Sequence, residues 1–311
     1  MKEVIIMYFI IGEKLMECTK EDIINTKQQY VALLSSKQWS DEKNTFKMGI
    51  DFEPKTTDIH VTKAEENYDS ITGTFCIPNR RDIQSDESKF AFALDEKGIV
   101  IIDDTKASKK IINRIKNTRK WRLPSLERFI YDFLNDIIRN DFRIMERYEH
   151  ELDDMENEII TEDNELTSKR VNEIRADIRD LKIHYEQLLD LGEVLEENEN
   201  NFFEEVNLRY FRLFLNRVER LRDTSNSLRD YTIQIRDVYK THLDIKQNHI
   251  ITILTMVTTV FTPLMFIVGW YGMNFKYMPE LDIQWSYPFV FILCVAITVS
   301  ILLFFRRKKW I

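Results

Sequence analysis

Glycine and proline are scarce in this chain of 311 residues, which contains only seven glycines and six prolines. Loops that cradle phosphates, such as GxxxxGK[ST] and GxGxxG, need two or three glycines at short, fixed spacing. The seven glycines form neither pattern. We therefore expect that ATP does not drive the protein.

Sequence motifs for catalysis are also absent. The five histidines are dispersed, and the HExxH zinc motif fails because Asp154 stands where its second histidine belongs. Glu146 with His150, and Asp180 with His184, have the i, i+4 spacing of a metal-binding pair on a helix, but such pairs are far more often solvated helix faces. We expect solvated faces here, and no enzyme.

Cysteine is rare too. Cys18, Cys76 and Cys294 have no spacing typical of a metal site or a redox pair, which favours a reducing compartment. The apolar stretch at residues 4–11 has only about eight residues and lacks a small-residue cleavage site. It predicts a first β-strand rather than a signal peptide.

Charge is abundant but unevenly distributed. Charged residues make up 31% of the chain, the mean hydropathy is -0.34 and the net charge is -8. Residues 250–311 carry five basic and two acidic side chains, so residues 1–249 carry -11. Such a field repels nucleic acid and concentrates cations. We expect an anionic, water-soluble N-terminal part without a nucleic-acid partner.

Two long uncharged runs lie near the C-terminus. Residues 250–271 would span about 33 Å as a helix and residues 288–305 about 27 Å, which are lengths that cross a bilayer. They predict two transmembrane helices joined by a loop at 272–287. Two spans cannot enclose a pore, so a conducting path would need several copies around an axis.

The orientation follows from the basic residues beside these spans. Four basic residues occupy positions 306–309, in a tail of residues 306–311, whereas the loop between the spans carries only Lys276. Because positive residues stay on the cytosolic side, we expect both termini in the cytosol and the loop outside. The prediction is a multi-pass protein of the cell (inner) membrane.

Residues 1–120 read as a small cytosolic α/β domain, since short β-rich runs alternate with turn residues. The predicted strands are residues 4–11, 47–52, 58–62, 70–77, 90–94 and 98–102. Thr19 with Asp22 forms a capping box that opens a helix predicted to reach about residue 38, and residues 108–117 form another.

Residues 121–202 predict a cytosolic antiparallel helical hairpin, with one helix at 125–160, a polar break at 161–167 and a second helix at 168–198. Positions 141–165 contain eleven acidic residues against two arginines. A solvated acidic face is the simplest interpretation of that density.

A stalk helix at residues 203–249 is predicted to run on into the first span, because no proline occurs from residue 203 to residue 262. Apolar residues along it recur every three or four positions, as in a seam between parallel helices. They are Leu208, Phe211, Leu215 and Val218, then Leu228, Tyr231, Ile235, Val238, His242 and Ile245. For the first group, packing against the chain's own hairpin is an equal alternative.

The first span carries its polar and small residues on one helix face, because they recur every three or four positions. The face comprises Asn248, Ile251, Thr255, Thr258, Thr262, Met265 and Gly269, with Leu254 beside it. Helix packing through small residues is one explanation. We favour a pore-lining face, since Asn248 and Asn274 align with the threonines at its two ends.

Three short motifs are specific. Gly272-Met273-Asn274 ends the first span, Met278-Pro279-Glu280-Leu281 follows, and Arg306-Arg307-Lys308-Lys309-Trp310 ends the chain. Together they resemble the CorA family of magnesium channels, and the similarity is good from about residue 204 to the C-terminus.

The resemblance implies an α+β membrane protein with a cytosolic α/β domain, a long helical hairpin, and a stalk helix continuous with the first of two C-terminal transmembrane helices. It implies a homopentamer and a selectivity filter at Gly272, Met273 and Asn274, where Asn274 meets hydrated Mg²⁺. Asn248 and Leu254 would form the inner gate. Thr262 and Met265 stand in the opposite order to that of the best-known family members.

The resemblance also implies a regulatory site for Mg²⁺ at Asp237 and a hairpin tip that attracts cations weakly. A surface ion pair of Asp237 with Arg236 or Lys240 is an equal alternative, and Asp51 is a weak candidate for its partner carboxylate. The predicted function is Mg²⁺ influx down the membrane potential, gated by internal Mg²⁺, with Co²⁺ and Ni²⁺ as further ions. The alternatives are a Zn²⁺, Co²⁺ or Ni²⁺ transporter of the same superfamily and a non-conducting, membrane-anchored coiled-coil scaffold.

Overall fold

The fold is that of a computed structural model, which describes residues 6–49, 51–161 and 165–308. Two compact units divide the chain, Met1–Arg236 and Asp237–Ile311. The first unit holds a sheet and a set of helices. The second holds the apolar C-terminal helices.

A seven-stranded mixed sheet forms the centre of the first unit. Its strands are β1 (Met7–Ile11), β2 (Leu15–Cys18), β3 (Tyr30–Leu34), β4 (Lys63–Glu66), β5 (Ile71–Ile77), β6 (Ser88–Leu94) and β7 (Gly98–Ile102). The strand order is β2-β1-β3-β7-β6-β5-β4, and β3 with β7 is the parallel pair. All five residues of β3 and all five of β7 are buried, as parallel strands covered on both faces require.

Helices cover both faces of this sheet. The short helices α1 (Lys20–Asn25) and α2 (Ser36–Phe46) pack on one face, where Trp39 joins a core with Tyr30 and Val100. Helices α3 (Ala107–Thr118) and α4 (Leu126–Ile137) cover the other face, where the Phe133 ring meets Phe75 and Phe90 with centroids 6.0 and 5.9 Å apart. The predicted α/β domain is confirmed, and so is the helix predicted at 108–117.

The helix predicted from Thr19 to residue 38 is wrong, because β3 lies inside that stretch. The capping box of Thr19 with Asp22 is present, but it opens only the six residues of α1. A second capping box, Ser35 with Gln38, opens α2 as a separate helix. The apolar run between them pairs with β1 and β7 instead, because burial at the centre of the sheet outweighs helix propensity.

The strands predicted at 47–52 and 58–62 are also wrong. Lys47 and Gly49 have φ values of 58° and 55°, which is the left-handed region and turns the chain out of an extended path. The Trp39 indole donates to the carbonyl of Phe52 at 2.7 Å and holds the resulting loop. A 3-10 turn, Thr56–Asp58, follows this loop. The next strand is β4, which begins at Lys63.

The hairpin consists of α5 (Asp141–Thr161) and α6 (Glu165–Glu197). Contacts such as Arg170 with Glu151 at 2.7 Å and Tyr148 with Asp177 at 2.8 Å show that the two helices run antiparallel, as predicted. The residues predicted for the tip lie partly outside the described residues.

The single helix predicted at 125–160 is wrong, because the chain breaks between α4 and α5. Arg80 lies at this break, 3.5 Å from the carbonyl of Ile137 and 2.7 Å from the carboxylate of Asp141. Tyr185 of α6 donates to the same carboxylate at 3.1 Å. The break therefore places a buried ion pair between the sheet and the hairpin.

The long helix α7 (Arg209–Tyr271) contains 63 residues and is about 95 Å long. It begins after a 3-10 turn, Glu205–Asn207, and thus later than the predicted residue 203, but it runs on into the first apolar segment as predicted. A 3-10 turn, Pro279–Asp282, and helix α8 (Ser286–Arg307) complete the second unit.

The apolar residues predicted to form a seam along the stalk pack mainly within the same chain. Phe211 and Val218 are fully buried, and Leu215 of the same group lies against Gly192 of α6, which confirms the alternative of packing on the chain's own hairpin. Leu228 and Ile235 are 4% and 1% exposed, so a seam with a parallel copy is wrong for them. Ile245, in the second unit, is 63% exposed, and a seam there stays a prediction.

Candidate functional site: the polar face of the long helix

The residues predicted to line a pore are brought together on α7. All of them are exposed in the single chain, Leu254 and Met265 to 63% each. The apolar residues on the other faces, such as Phe266 at 69%, are exposed as well. An apolar surface that wraps most of a helix suits lipid, and a polar stripe along it suits a partner copy or water.

The threonines of this face share one hydrogen-bond pattern. The Thr255, Thr258 and Thr262 hydroxyls donate to carbonyls four residues earlier at 2.8, 2.8 and 2.7 Å. Because the proton is used within the helix, each hydroxyl oxygen keeps free lone pairs that can accept a hydrogen bond from water. Thr252 and Thr259 bond in the same way, so the pattern itself does not mark the face.

Pro263 stands inside α7, next to Thr262. Proline has no backbone N–H, so the carbonyl of Thr259 loses its usual helical donor. In membrane helices such a gap is tolerated because neighbouring side chains or water satisfy the freed carbonyl. The polar character of this part of the helix therefore includes its backbone.

The helix ends just before the Gly-Met-Asn motif. The Gly272 amide donates to the carbonyl of Val268 at 2.9 Å, and the Met273 amide donates to that of Trp270 at 3.3 Å. A Cβ on Gly272 would lie 3.1 Å from the Val268 oxygen, so the fit is tight. The side chain of Asn274 is exposed and makes no hydrogen bond within the described residues, so its amide is free for a ligand.

Exposed aromatic side chains lie in the loop between α7 and α8 and in the first turn of α8. Tyr277, Trp285 and Tyr287 are 87%, 77% and 83% exposed. Tyrosine and tryptophan favour the interface between bilayer and water. Arg306 and Arg307 end α8 on its other side, which agrees with a helix that spans from one interface to the other.

In the part of the chain that the structure describes, carboxylates form no preformed metal site. Asp237 is exposed, and neither Arg236 nor Lys240 forms an ion pair with it in the part of the chain that the structure describes. Asp51 lines a groove with Glu65 and Asp69. Among the described residues, no three His, Cys, Asp or Glu side chains are placed to hold a metal ion.

The first unit contains a polar cleft of its own. His184 lines it at 2% exposure, so the expectation of a solvated face with Asp180 is wrong for His184. Burial holds the pKa of His184 well below its usual range, and Arg80 acts in the same direction. The Cys76 thiol donates to Glu87 at 2.9 Å, and burial raises the pKa of Cys76 to about 12. A thiol that stays protonated is a poor nucleophile.

Charged residues repeat along α7 with a period of seven residues, which the spacing of the apolar residues does not reveal. The tripeptides Leu221-Arg222-Asp223, Leu228-Arg229-Asp230 and Ile235-Arg236-Asp237 repeat every seven residues. The signal that finds them is the period of the charged residues rather than of the apolar ones.

These features define a class of protein. An α/β unit, a helical hairpin, and one helix that enters the first of two apolar C-terminal helices describe a two-span membrane protein with most of its mass outside the bilayer. The chain belongs to the family described as CorA-like Mg2+ transporter proteins, whose match covers residues 40–308.

Individual relatives agree with this membership. The cobalt/magnesium transport protein CorA of Thermotoga maritima is 30% identical over 182 residues, which are 58% of this chain and 52% of the relative. The protein of that name from Methanocaldococcus jannaschii is 29% identical over 216 residues, which are 64% of each chain. This chain thus spans about half to two thirds of the length of these relatives.

Solved structures confirm the fold. The CorA magnesium transporter from Methanocaldococcus jannaschii superposes with a TM-score of 0.82 at 20% identity and covers 100% of both chains. The full-length CmaX protein gives a TM-score of 0.71 at 12% identity, covering 100% of this chain and 99% of that one. The predicted fold class is therefore confirmed.

Proposed function

We propose that the chain forms a homopentameric divalent-cation channel in the inner cell membrane, which carries Mg²⁺ into the cytosol and closes when internal Mg²⁺ is high. The observation that carries this proposal is the polar face of α7, with the exposed amide of Asn274, which makes no hydrogen bond to any described residue, just beyond the end of the helix. Two spans cannot enclose a path, so copies of α7 surround a common axis with their polar faces inward. A pentamer follows from the family resemblance.

The Gly272-Met273-Asn274 turn acts as the selectivity filter. Mg²⁺ gives up its water reluctantly, so an entrance that selects it should accept hydrogen bonds from the hydration shell. A ring of Asn274 amide oxygens meets this requirement. Carboxylates would hold the dication more tightly and slow its exit, whereas conduction needs weak binding.

The threonine hydroxyl oxygens continue the path below the filter. Each has its proton bonded to the helix and can accept a hydrogen bond from the water around the ion. Asn248 and Leu254 form the inner, partly hydrophobic gate, which closes by excluding water. Ile251, Met265 and Gly269 complete the lining.

The membrane potential drives the influx. Arg306, Arg307 and Lys308 after the second span, against Lys276 in the loop, orient the filter outward and both termini toward the cytosol. Two charges that cross 100 mV release about 4.6 kcal/mol, which supports an inward gradient on the order of a thousandfold. No nucleotide is needed.

Co²⁺ is a second transported ion, because two relatives are named cobalt/magnesium transport proteins. Uptake of Mg²⁺ by purified protein in liposomes, with Co²⁺, Ni²⁺ and Zn²⁺ as competitors, tests the substrate. Mg²⁺ uptake that only Co²⁺ and Ni²⁺ reduce supports the proposal. Uptake of Zn²⁺ without Mg²⁺ assigns the chain to the zinc branch, and absence of any flux supports a scaffold.

Asp237 supplies the regulatory Mg²⁺ site. Carboxylates that face each other across a subunit boundary repel when the site is empty and are bridged when a dication binds, so high internal Mg²⁺ favours the closed stalk. Asp237→Ala should keep the channel open at millimolar internal Mg²⁺ and remove the protection from protease that Mg²⁺ gives. Asp190→Ala, an exposed aspartate on α6, is the control. Unchanged inhibition in Asp237→Ala would refute the role.

A further inference from the structure

The repeat on α7 arranges three kinds of residue in parallel rows. Seven residues make nearly two helical turns and a rise of about 10.5 Å, so equivalent residues lie almost above one another. A period of seven is also that of helices that wind around parallel partners. The rows are therefore one apolar, one of arginines and one of aspartates.

The apolar row is buried within its own chain. Leu221, Leu228 and Ile235 are 0%, 4% and 1% exposed, since they pack within the first unit. An aspartate two positions further lies about 200° around the helix from its leucine. It therefore faces away from the core, and the side chains of Asp223 and Asp230 are 66% and 59% exposed.

The charged rows keep unused bonding capacity. Arg222 reaches Asp223 at 3.1 Å and Arg229 reaches Asp230 at 2.7 Å, both between adjacent residues, which do not face each other on a helix. In both pairs only Oδ1 of the aspartate accepts, and Oδ2 accepts no bond within the described residues.

This pattern is complementary to itself. A parallel copy of α7 in the same register can place Asp223 and Asp230 against Arg222 and Arg229, at two levels along the helix. An anionic ligand would be repelled by the aspartate row, and a cationic ligand would be repelled by the arginine row. The occupant that satisfies both rows is thus a second copy of this chain.

We propose that Arg222 and Arg229 of one copy pair with Asp223 and Asp230 of the next around the ring. This inference rests on the oligomer of the proposed function and adds the contact that sets its register. Exposed ion pairs are individually weak. Their role is therefore to select a parallel, in-register neighbour rather than to supply most of the affinity.

Two charge-reversed variants of the full chain in detergent test the contact. The acidic variant is R222D/R229D and the basic variant is D223R/D230R, and native mass spectrometry counts the copies of each in every assembly. Each variant alone should dissociate at a protein concentration about tenfold higher than the wild type. Co-expressed, they should form mixed rings, with single-variant rings depleted about tenfold below random mixing. A ring with an odd number of copies keeps one like-charged interface, so enrichment rather than exclusion is expected.

Controls separate this contact from local effects. E96K and K97E reverse another adjacent, exposed ion pair, 3.8 Å long, and should mix randomly. The quadruple variant R222D/D223R/R229D/D230R restores complementary charges in every copy and should assemble like the wild type.

The outcomes are distinct. If R222D/R229D and D223R/D230R each assemble like the wild type and mix randomly, or if the quadruple variant folds but does not assemble, the contact is refuted. A wild-type chain that is monomeric would refute the oligomer itself, and with it the channel.

Discussion

Replacing Arg80 by methionine should strongly lower the stability of the first unit, because it leaves the buried carboxylate of Asp141 without its cationic partner. The side chain of Asp141 is 0% exposed, and Nε and Nη2 of Arg80 lie 2.7 Å from its two oxygens. The hydroxyl of Tyr185 would remain at 3.1 Å, but it carries no charge. Breaking one side of a buried ion pair costs about 3–5 kcal/mol, and we expect a loss of that size at pH 7.

The loss of stability in Arg80→Met should depend on pH. Burial raises the pKa of Asp141 and Arg80 opposes that rise, so the pKa should rise further in Arg80→Met. A carboxyl group whose pKa is raised by folding stabilises the fold when it is protonated. The loss of stability in Arg80→Met should therefore shrink as the pH falls toward 5.

Urea unfolding of the full chain in detergent measures this loss, followed by the change in tryptophan fluorescence as the buried Trp39 and Trp121 become exposed. Lys97→Met is the control, because Lys97 forms an ion pair with Glu96 in which both side chains are more than half exposed. Such pairs contribute at most about 1 kcal/mol. A loss in Arg80→Met no larger than that of the control would refute the buried-charge argument.

Further predictions concern a carboxyl group and two glycines. Burial raises the pKa of Asp95 to about 6, so the contribution of Asp95 to stability falls as the pH rises through 6. Asp95→Asn should therefore raise the thermal midpoint more at pH 8 than at pH 5. An equal gain at both pH values would contradict this. Gly73→Ala should lower the midpoint, because a Cβ would lie 2.5 Å from the ring of Phe92; an unchanged midpoint would argue against the packing of β5 on β6. Gly272→Ala should slow Mg²⁺ uptake in liposomes less than Asn274→Ala does, because its Cβ contact of 3.1 Å needs only a small shift; equal losses would disprove that difference.

Local signals predict most of the helices in the C-terminal half. Helix continuity depends on neighbours within a turn or two, so the absence of proline between residue 203 and Pro263 predicts that α7 runs into the membrane segment. The polar face of α7 is local in the same sense, because it depends only on spacing. The predicted end of the first span, residue 271, is also where α7 ends.

Contacts between distant segments cannot be read in this way. The residues of β3 could continue a helix, and it is their pairing with β1 and β7 that makes them a strand. At the break between α4 and α5, Asp141 pairs with Arg80, about 60 residues earlier in the chain, and no local signal predicts that contact. Leu228 has seam-like spacing, but whether a hairpin or a second copy covers it is decided by tertiary packing.

The most direct test is Mg²⁺ uptake into liposomes with an inside-negative potential, compared between the wild type and Asn274→Ala. Asn216→Ala, at an exposed asparagine on the same helix, is the matched control. Rapid uptake by the wild type and the control, and almost none by a folded, assembled Asn274→Ala, is the predicted result. Uptake by Asn274→Ala at the wild-type rate would contradict the filter, and absence of uptake by the wild type would contradict the channel.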